Sequence, residues 1–283
     1  MTAKRLAAFT NDGLIFDVID EGPLDAPVII ALHGFPESGG CWQDVTPALT
    51  KAGFRVLAPD QRGYSPGARP VGTRSYALDK LASDILALAD QAGAAKFHVL
   101  GHDWGATLAW QLAGYHADRL LTVSALSGPP LQAFAAALPR GQALRSWYML
   151  LFQLPKLPEW LLMAGDGWGL RKIFGPYTGM SEQTIRTTIS LLGQSGAATA
   201  AINWYRARRH RAASKPARIA VPTLFVWGDR DTTIGRAAAD GTAGFIDAPY
   251  RFEIFEGASH WVVQERPVET AALVLQHIER YRH

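Results

Sequence analysis

The sequence predicts an α/β protein: a mostly parallel, twisted sheet flanked by helices, with a helical insertion. Three observations lead there. Short, nearly continuous apolar runs recur along the chain, as strands buried on both faces require. Amphipathic helical stretches separate most of them, and alternating strands and helices build a parallel sheet through right-handed crossovers. One long interval, residues 128–221, breaks the alternation and offers no convincing strand.

In chain order, residues 6–9 and 14–19 read as an N-terminal hairpin joined through Asn11-Asp12-Gly13, residue types that favour a tight reversal. Strands are expected at 28–32, 55–58, 97–100, 121–126, 223–227 and 251–255. A helix over 76–91 carries Leu78, Leu81, Ile85 and Leu88 at helical spacing, and 104–115 and 267–281 are the other clear helices. The interval 128–221 holds Trp147, Trp160, Trp168 and Trp204 among short helical stretches broken by Pro155, Pro158, Gly175-Pro176 and Gly193. A structureless loop of roughly ninety residues is foreign to a compact domain. Residues 129–220 are therefore expected to form a helical cap, inserted in a core made of 1–128 and 221–283.

Composition narrows the function. With 283 residues and 48% hydrophobic content, the chain suits one large globular domain with an insertion. Lys plus Arg number 28 against 25 Asp plus Glu, a formal charge of +3. Such balance predicts neither a nucleic-acid nor a membrane partner. The cluster Arg206, Arg208, Arg209 and Arg211 reads as a solvated helix end, favoured by the helix dipole, rather than a binding patch. The single cysteine, Cys41, excludes an internal disulfide. Asp12 interrupts the N-terminus before any apolar core suited to a signal peptide, and no uncharged run approaches the ~20 residues of a membrane span. A cytoplasmic protein is expected; monomer and homodimer stay equally open.

The segment carrying most chemistry is Gly101-His102-Asp103-Trp104-Gly105. An apolar strand precedes it and a helix follows, and the paired glycines suit a sharp strand-to-helix turn where backbone crowds the side chain. The apex residue is an aspartate. A carboxylate there can attack an electrophilic carbon and become an ester. After the strand at 28–32 comes His33-Gly34-Phe35-Pro36-Glu37. A bend there can turn the Phe35 N–H toward the apex, to form an oxyanion hole with that of Trp104; an ordinary strand-ending turn is the plainer alternative. After the strand at 223–227, Trp227-Gly228-Asp229-Arg230-Asp231 offers two carboxylates able to orient a histidine, though Asp229 can instead cap or brace the turn. His260 lies in Gly257-Ala258-Ser259-His260-Trp261 before the final helix, the one of eight histidines so placed. The order nucleophile, acid, histidine results. His98 and His102 fall on a strand and turn rather than one helix face, so no metal site is expected.

These segments, with Asp60-Gln61-Arg62-Gly63-Tyr64 and His260-Trp261 followed by Glu265-Arg266-Pro267, resemble the α/β-hydrolase superfamily over nearly the whole chain. Within it, they resemble the epoxide hydrolases with an aspartate nucleophile. The resemblance implies the α/β-hydrolase fold, with Asp103 as nucleophile, Asp231 as acid and His260 as base. It also implies two cap tyrosines that donate to the epoxide oxygen: Tyr148, ahead of Phe152-Gln153, and Tyr205, in Asn203-Trp204-Tyr205-Arg206. A packing role is the plainer reading of either tyrosine. Leu154-Pro155 departs from the Glu-Pro found in many relatives, a change expected at the cap rather than in the chemistry. The implied substrate is a small hydrophobic epoxide, opened with water to a vicinal diol without metal or organic cofactor. A haloalkane dehalogenase shares the aspartate, acid and histidine but commonly holds its halide with an Asn side chain where this chain has Phe35. A serine esterase lacks a match at Asp103. A non-catalytic ligand receptor on the same fold is the alternative from another functional class.

Overall fold

The computed structural model describes residues 4–174, 181–210 and 216–281. Eight strands form one sheet: β1 (Ala8–Asn11), β2 (Leu14–Glu21), β3 (Val28–Leu32), β4 (Arg55–Pro59), β5 (Phe97–His102), β6 (Leu120–Leu126), β7 (Thr223–Gly228) and β8 (Tyr250–Phe255). Their order is β1-β2-β4-β3-β5-β6-β7-β8. β1, β2 and β4 pair antiparallel, and every pairing from β4 through β8 is parallel. The chain thus has the α/β-hydrolase fold expected from the sequence. β3 and β5 are buried along their whole length, which explains their unbroken apolar character.

Outside the insertion lie α1 (Thr46–Lys51), α2 (Leu78–Gln91) and α3 (Trp104–Tyr115). Between β6 and β7 the described residues form α4 (Leu131–Ala137), α5 (Gln142–Arg145), α6 (Tyr148–Leu151), α7 (Leu157–Phe174, broken by a non-helical kink at Ala164, Gly165, Asp166 and Gly167), α8 (Glu182–Gly193) and α9 (Ala197–Arg206), and no named strand. The core resumes with α10 (Arg236–Asp240), α11 (Val262–Glu265) and α12 (Pro267–Ile278).

Several boundaries differ from expectation for local reasons. The first strand runs over Ala8–Asn11 rather than 6–9. Asp12 and Gly13 alone form the reversal, both at positive φ (49° and 74°), and such a two-residue turn pairs Asn11 directly with Leu14. Tyr76 belongs to a 3₁₀ turn ahead of α2, and residues 279–281 form another beyond α12. The break expected at Gly175-Pro176 lies outside the described residues. Arg208 and Arg209 are exposed at the helix end, as expected, while Arg206 is not. Arg206 pairs with Glu159 at 2.7 Å, and both are largely buried; Arg208 lies over the Phe134 ring at 5.3 Å; Arg209 donates to Thr73 Oγ1 at 2.9 Å. Arg211 lies outside the described residues.

The junction of β5 and α3 positions the candidate site. A Cβ on Gly101 would collide with the backbone of Gly105, and one on Gly105 with the carbonyl of Leu32 at the end of β3. One on Gly34 would stand 2.5 Å from the Cβ of Asp103. Three glycines thus let two strand ends and a helix start converge. Gly105→Ala is expected to destabilise the fold by about 1–3 kcal/mol, the usual range for overpacking. Equilibrium denaturation of the two proteins checks this; equal midpoints would show that the contact yields without cost.

Candidate active site

Asp103 stands where β5 passes into α3, with φ 53° and ψ −113°. A non-glycine residue reaches that region only when its surroundings hold it there. The conformation lifts the carboxylate above the strand ends. Its Oδ1 accepts the Phe35 N–H at 2.9 Å. Trp104 opens α3, so its N–H has no intrahelical carbonyl to meet and belongs to the positive end of the helix dipole. The Phe35–Pro36 peptide is cis.

His260 faces the other carboxylate oxygen, with Nε2 3.4 Å from Asp103 Oδ2. Its Nδ1 lies 2.8 Å from Asp231 Oδ2. The second oxygen of Asp231 accepts N–H bonds from Thr233 (2.7 Å) and Ile234 (2.8 Å), so its carboxylate is held through both oxygens. Asp229 takes the bracing role instead, accepting the Gly257 N–H at 2.7 Å. The competition between the two acids for His260 is thereby resolved in geometry.

This arrangement fixes charge. Burial pulls the His260 pKa down, but the Asp231 charge and the hydrogen bonds His260 donates to Asp103 and Asp231 outweigh it and raise it to about 10. Burial pushes Asp103 up, and His260 more than offsets this, leaving it below its ordinary value. Asp103 and Asp231 thus flank His260 and favour its protonated form.

Tyr148 and Tyr205 come together from α6 and α9, ring centroids 6.1 Å apart. Tyr205 also packs edge-on against Trp104 (4.9 Å) and Phe35 (5.3 Å), which places it over the two candidate oxyanion donors. Burial raises the pKa of each tyrosine, and the Asp103 charge adds to both shifts. Both phenols stay protonated and able to donate.

Sequence reasoning assigned no role to a second layer below His260. His102 Nε2 lies 2.9 Å from the His260 carbonyl oxygen, the separation of a bond donated by its ring N–H. Its Nδ1 lies 3.4 Å from Glu37 Oε2, and both side chains are buried. Gln264 Nε2 donates to the other oxygen of Glu37. The signal was a charged residue inside a Gly-Phe-Pro turn, where an exposed glutamate is the plainer expectation. His33, also unassigned, accepts the Gln61 N–H at Nε2 (3.1 Å) and donates from Nδ1 to the Gly34 carbonyl (3.0 Å). Burial lowers its pKa to about 4, so it is a neutral bracket joining two loops.

Comparison with known proteins agrees with this architecture. Residues 27–267 match the family model described as alpha/beta hydrolase fold. Epoxide hydrolase A of Mycobacterium tuberculosis is 33% identical, over 94% of each chain. The AB hydrolase superfamily protein YfhM of Bacillus subtilis is 36% identical, over 99% of each. The crystal structure of Epoxide Hydrolase A from Mycobacterium thermoresistibile superposes with a TM-score of 0.86 at 28% identity, covering 96% of this chain and 97% of that one. The chain belongs to the α/β-hydrolase family, in the group that holds these epoxide hydrolases.

Proposed function

We propose that this α/β-hydrolase converts a hydrophobic epoxide to a vicinal diol through a covalent ester on Asp103, with residues 129–220 acting as a cap over the reacting atoms. The observation that carries the proposal is one carboxylate, Asp103, that lies 3.4 Å from His260 Nε2 and accepts the Phe35 N–H, with the rings of Tyr148 and Tyr205 packed together beside Phe35 and Trp104. A nucleophile and two proton donors around one point are what ring opening of an epoxide needs. The named relatives support the same reading.

Asp103 attacks a ring carbon, the C–O bond breaks, and a tyrosine proton passes to the departing oxygen. A hydroxyalkyl ester and a tyrosinate remain. Esterification removes the Asp103 charge, one of the influences that raised the His260 pKa. His260 then gives up its proton, which restores the phenol through solvent exchange. Neutral His260, oriented by Asp231, takes a proton from water as the water attacks the Asp103 carbonyl carbon. The Phe35 and Trp104 N–H groups stabilise the oxyanion. On collapse His260 protonates the leaving diol oxygen, and the proton of the regenerated Asp103 carboxyl returns to His260. Phe35 has no side-chain donor for a halide, which disfavours the dehalogenase alternative.

The charge arrangement carries a stability signature. The His260 pKa is raised on folding from 6.5 to about 10. Its contribution is whole below pH 6.5, declines between pH 6.5 and about 10, and is absent above. The gap in unfolding free energy between the parent and His260→Gln should therefore narrow across that interval. A gap independent of pH would mean that His260 is neutral in the resting protein.

His260→Gln should also stop the reaction halfway. Intact-mass measurement after adding an aryl epoxide should show an adduct on Asp103 that persists. In the parent, a single turnover in heavy-oxygen water should place label in the Asp103 carboxylate and leave the first diol unlabelled. Label in that first diol would mean that water attacks the epoxide directly, against the covalent scheme.

Tyr148→Phe and Tyr205→Phe should each retain partial activity, because one phenol remains. The double variant should form the ester about 10²–10⁴-fold more slowly, the usual worth of general acid catalysis. Pre-steady-state rates, with folding checked by thermal melting, measure this. A folded double variant that opens epoxides at the parent rate would reduce both tyrosines to packing residues.

A further inference from the structure

The loop that carries Asp231 is held by two side chains from one turn of the insertion. Gln142, on α5, is 1% exposed. Its Oε1 accepts the Gly235 N–H at 2.8 Å, and its Nε2 donates to the Thr233 carbonyl at 2.7 Å and to Ser146 Oγ at 2.9 Å. Arg145, three residues on, donates from Nη1 to the carbonyl of Asp231 itself at 2.9 Å. A Cβ on Gly235 would meet Arg145 Nε at 3.2 Å and Gln142 Oε1 at 3.4 Å, so this glycine lets both side chains lie against the loop backbone.

These bonds act on the segment that aims the Asp231 carboxylate. Oδ1 of Asp231 is tied to the N–H groups of Thr233 and Ile234. Oδ2 can stand 2.8 Å from His260 Nδ1 only while those two amides stay in place. Among the described residues, the carbonyls of Asp231 and Thr233 and the N–H of Gly235 all meet Gln142 or Arg145. The strand end alone does not account for the loop's shape.

We infer that Gln142 and Arg145 are positioning residues for the water-activating step: a latch from the insertion that holds Asp231 in register with His260. The inference rests on the proposed covalent scheme. It separates the two halves of the reaction. Ester formation needs Asp103 and a phenol, whereas ester hydrolysis needs an aimed imidazole. Loosening the latch slows the second half and spares the first.

Arg145→Ala is the primary test. Arg145 is exposed on its far side, where it lines a surface cleft with Arg140, Arg236 and Asp240, so the fold is expected to survive its loss. Gln142→Ala leaves two backbone groups of the loop without their partners and is the harsher companion. Ester formation is followed in a single turnover, and its breakdown by intact mass after excess epoxide is removed. The expected result for Arg145→Ala is breakdown about 10–100-fold slower, the scale set by a displacement of about 1 Å in a catalytic group. Ester formation should stay within about twofold of the parent, and Arg145→Lys should restore part of the loss. The His260 ring N–H resonance should also move or broaden in Arg145→Ala, a readout independent of the covalent scheme. A folded Arg145→Ala with the parent's resonance and both parent rates would overturn the latch, as would an equal fall in both rates. The parent is measured first: absence of an Asp103 ester there strikes the covalent scheme, and the resonance then decides the latch alone.

Discussion

The reversal at Asp103 is the constraint to which the rest of the site is fitted. A non-glycine residue at φ 53° and ψ −113° is held there by its surroundings. Here these are β3, β5 and α3, brought to backbone contact by Gly34, Gly101 and Gly105. The geometry does two things together. It exposes a carboxylate above the strand ends, and it sets the first N–H of α3 beside that carboxylate. A larger residue at any of the three glycines would press on the backbone or on the Asp103 side chain.

Charge completes what the backbone begins. Two buried carboxylates near each other would each resist ionisation, and an isolated buried imidazolium would shed its proton. Together the three groups satisfy one another, with His260 shared between Asp103 and Asp231. The arrangement is conditional, because a change in the charge of one partner alters the proton affinity of the next. Beneath it, the buried Glu37–His102 pair supports the backbone of His260 rather than its ring.

Much of this was legible in the sequence because it follows from local rules. Buried parallel strands must be apolar, so β3, β5, β6 and β7 announced themselves. A tight elbow must carry small residues, so Gly101 and Gly105 marked Asp103. The choice of Asp231 over Asp229 came from the family resemblance rather than from a local rule, because both sit in one turn and only the path of the loop decides which faces His260. The start of β1 was misjudged because pairing register, set by the Asp12-Gly13 turn, outweighs the apolar character of Leu6. The ion pair of Arg206 with Glu159 and the reach of Gln142 to Gly235 join residues far apart in sequence. No spacing rule encodes such contacts.

The participants also come from strand ends widely separated along the chain. Phe35 and Asp103 are 68 positions apart, and His102 and His260 are 158 apart. Contacts of such long range form late, after the entropy of closing large loops has been met. During synthesis, the emerging chain therefore holds Asp103 for a long interval before the segment bearing His260 exists. Asp103 can meet the Phe35 N–H once β3 and β5 have paired, but it gains His260 only when β7 and β8 have joined the sheet. On the proposed covalent scheme, alkylation followed by hydrolysis thus needs the whole fold, and turnover counts the native molecules in a population rather than those that are merely compact.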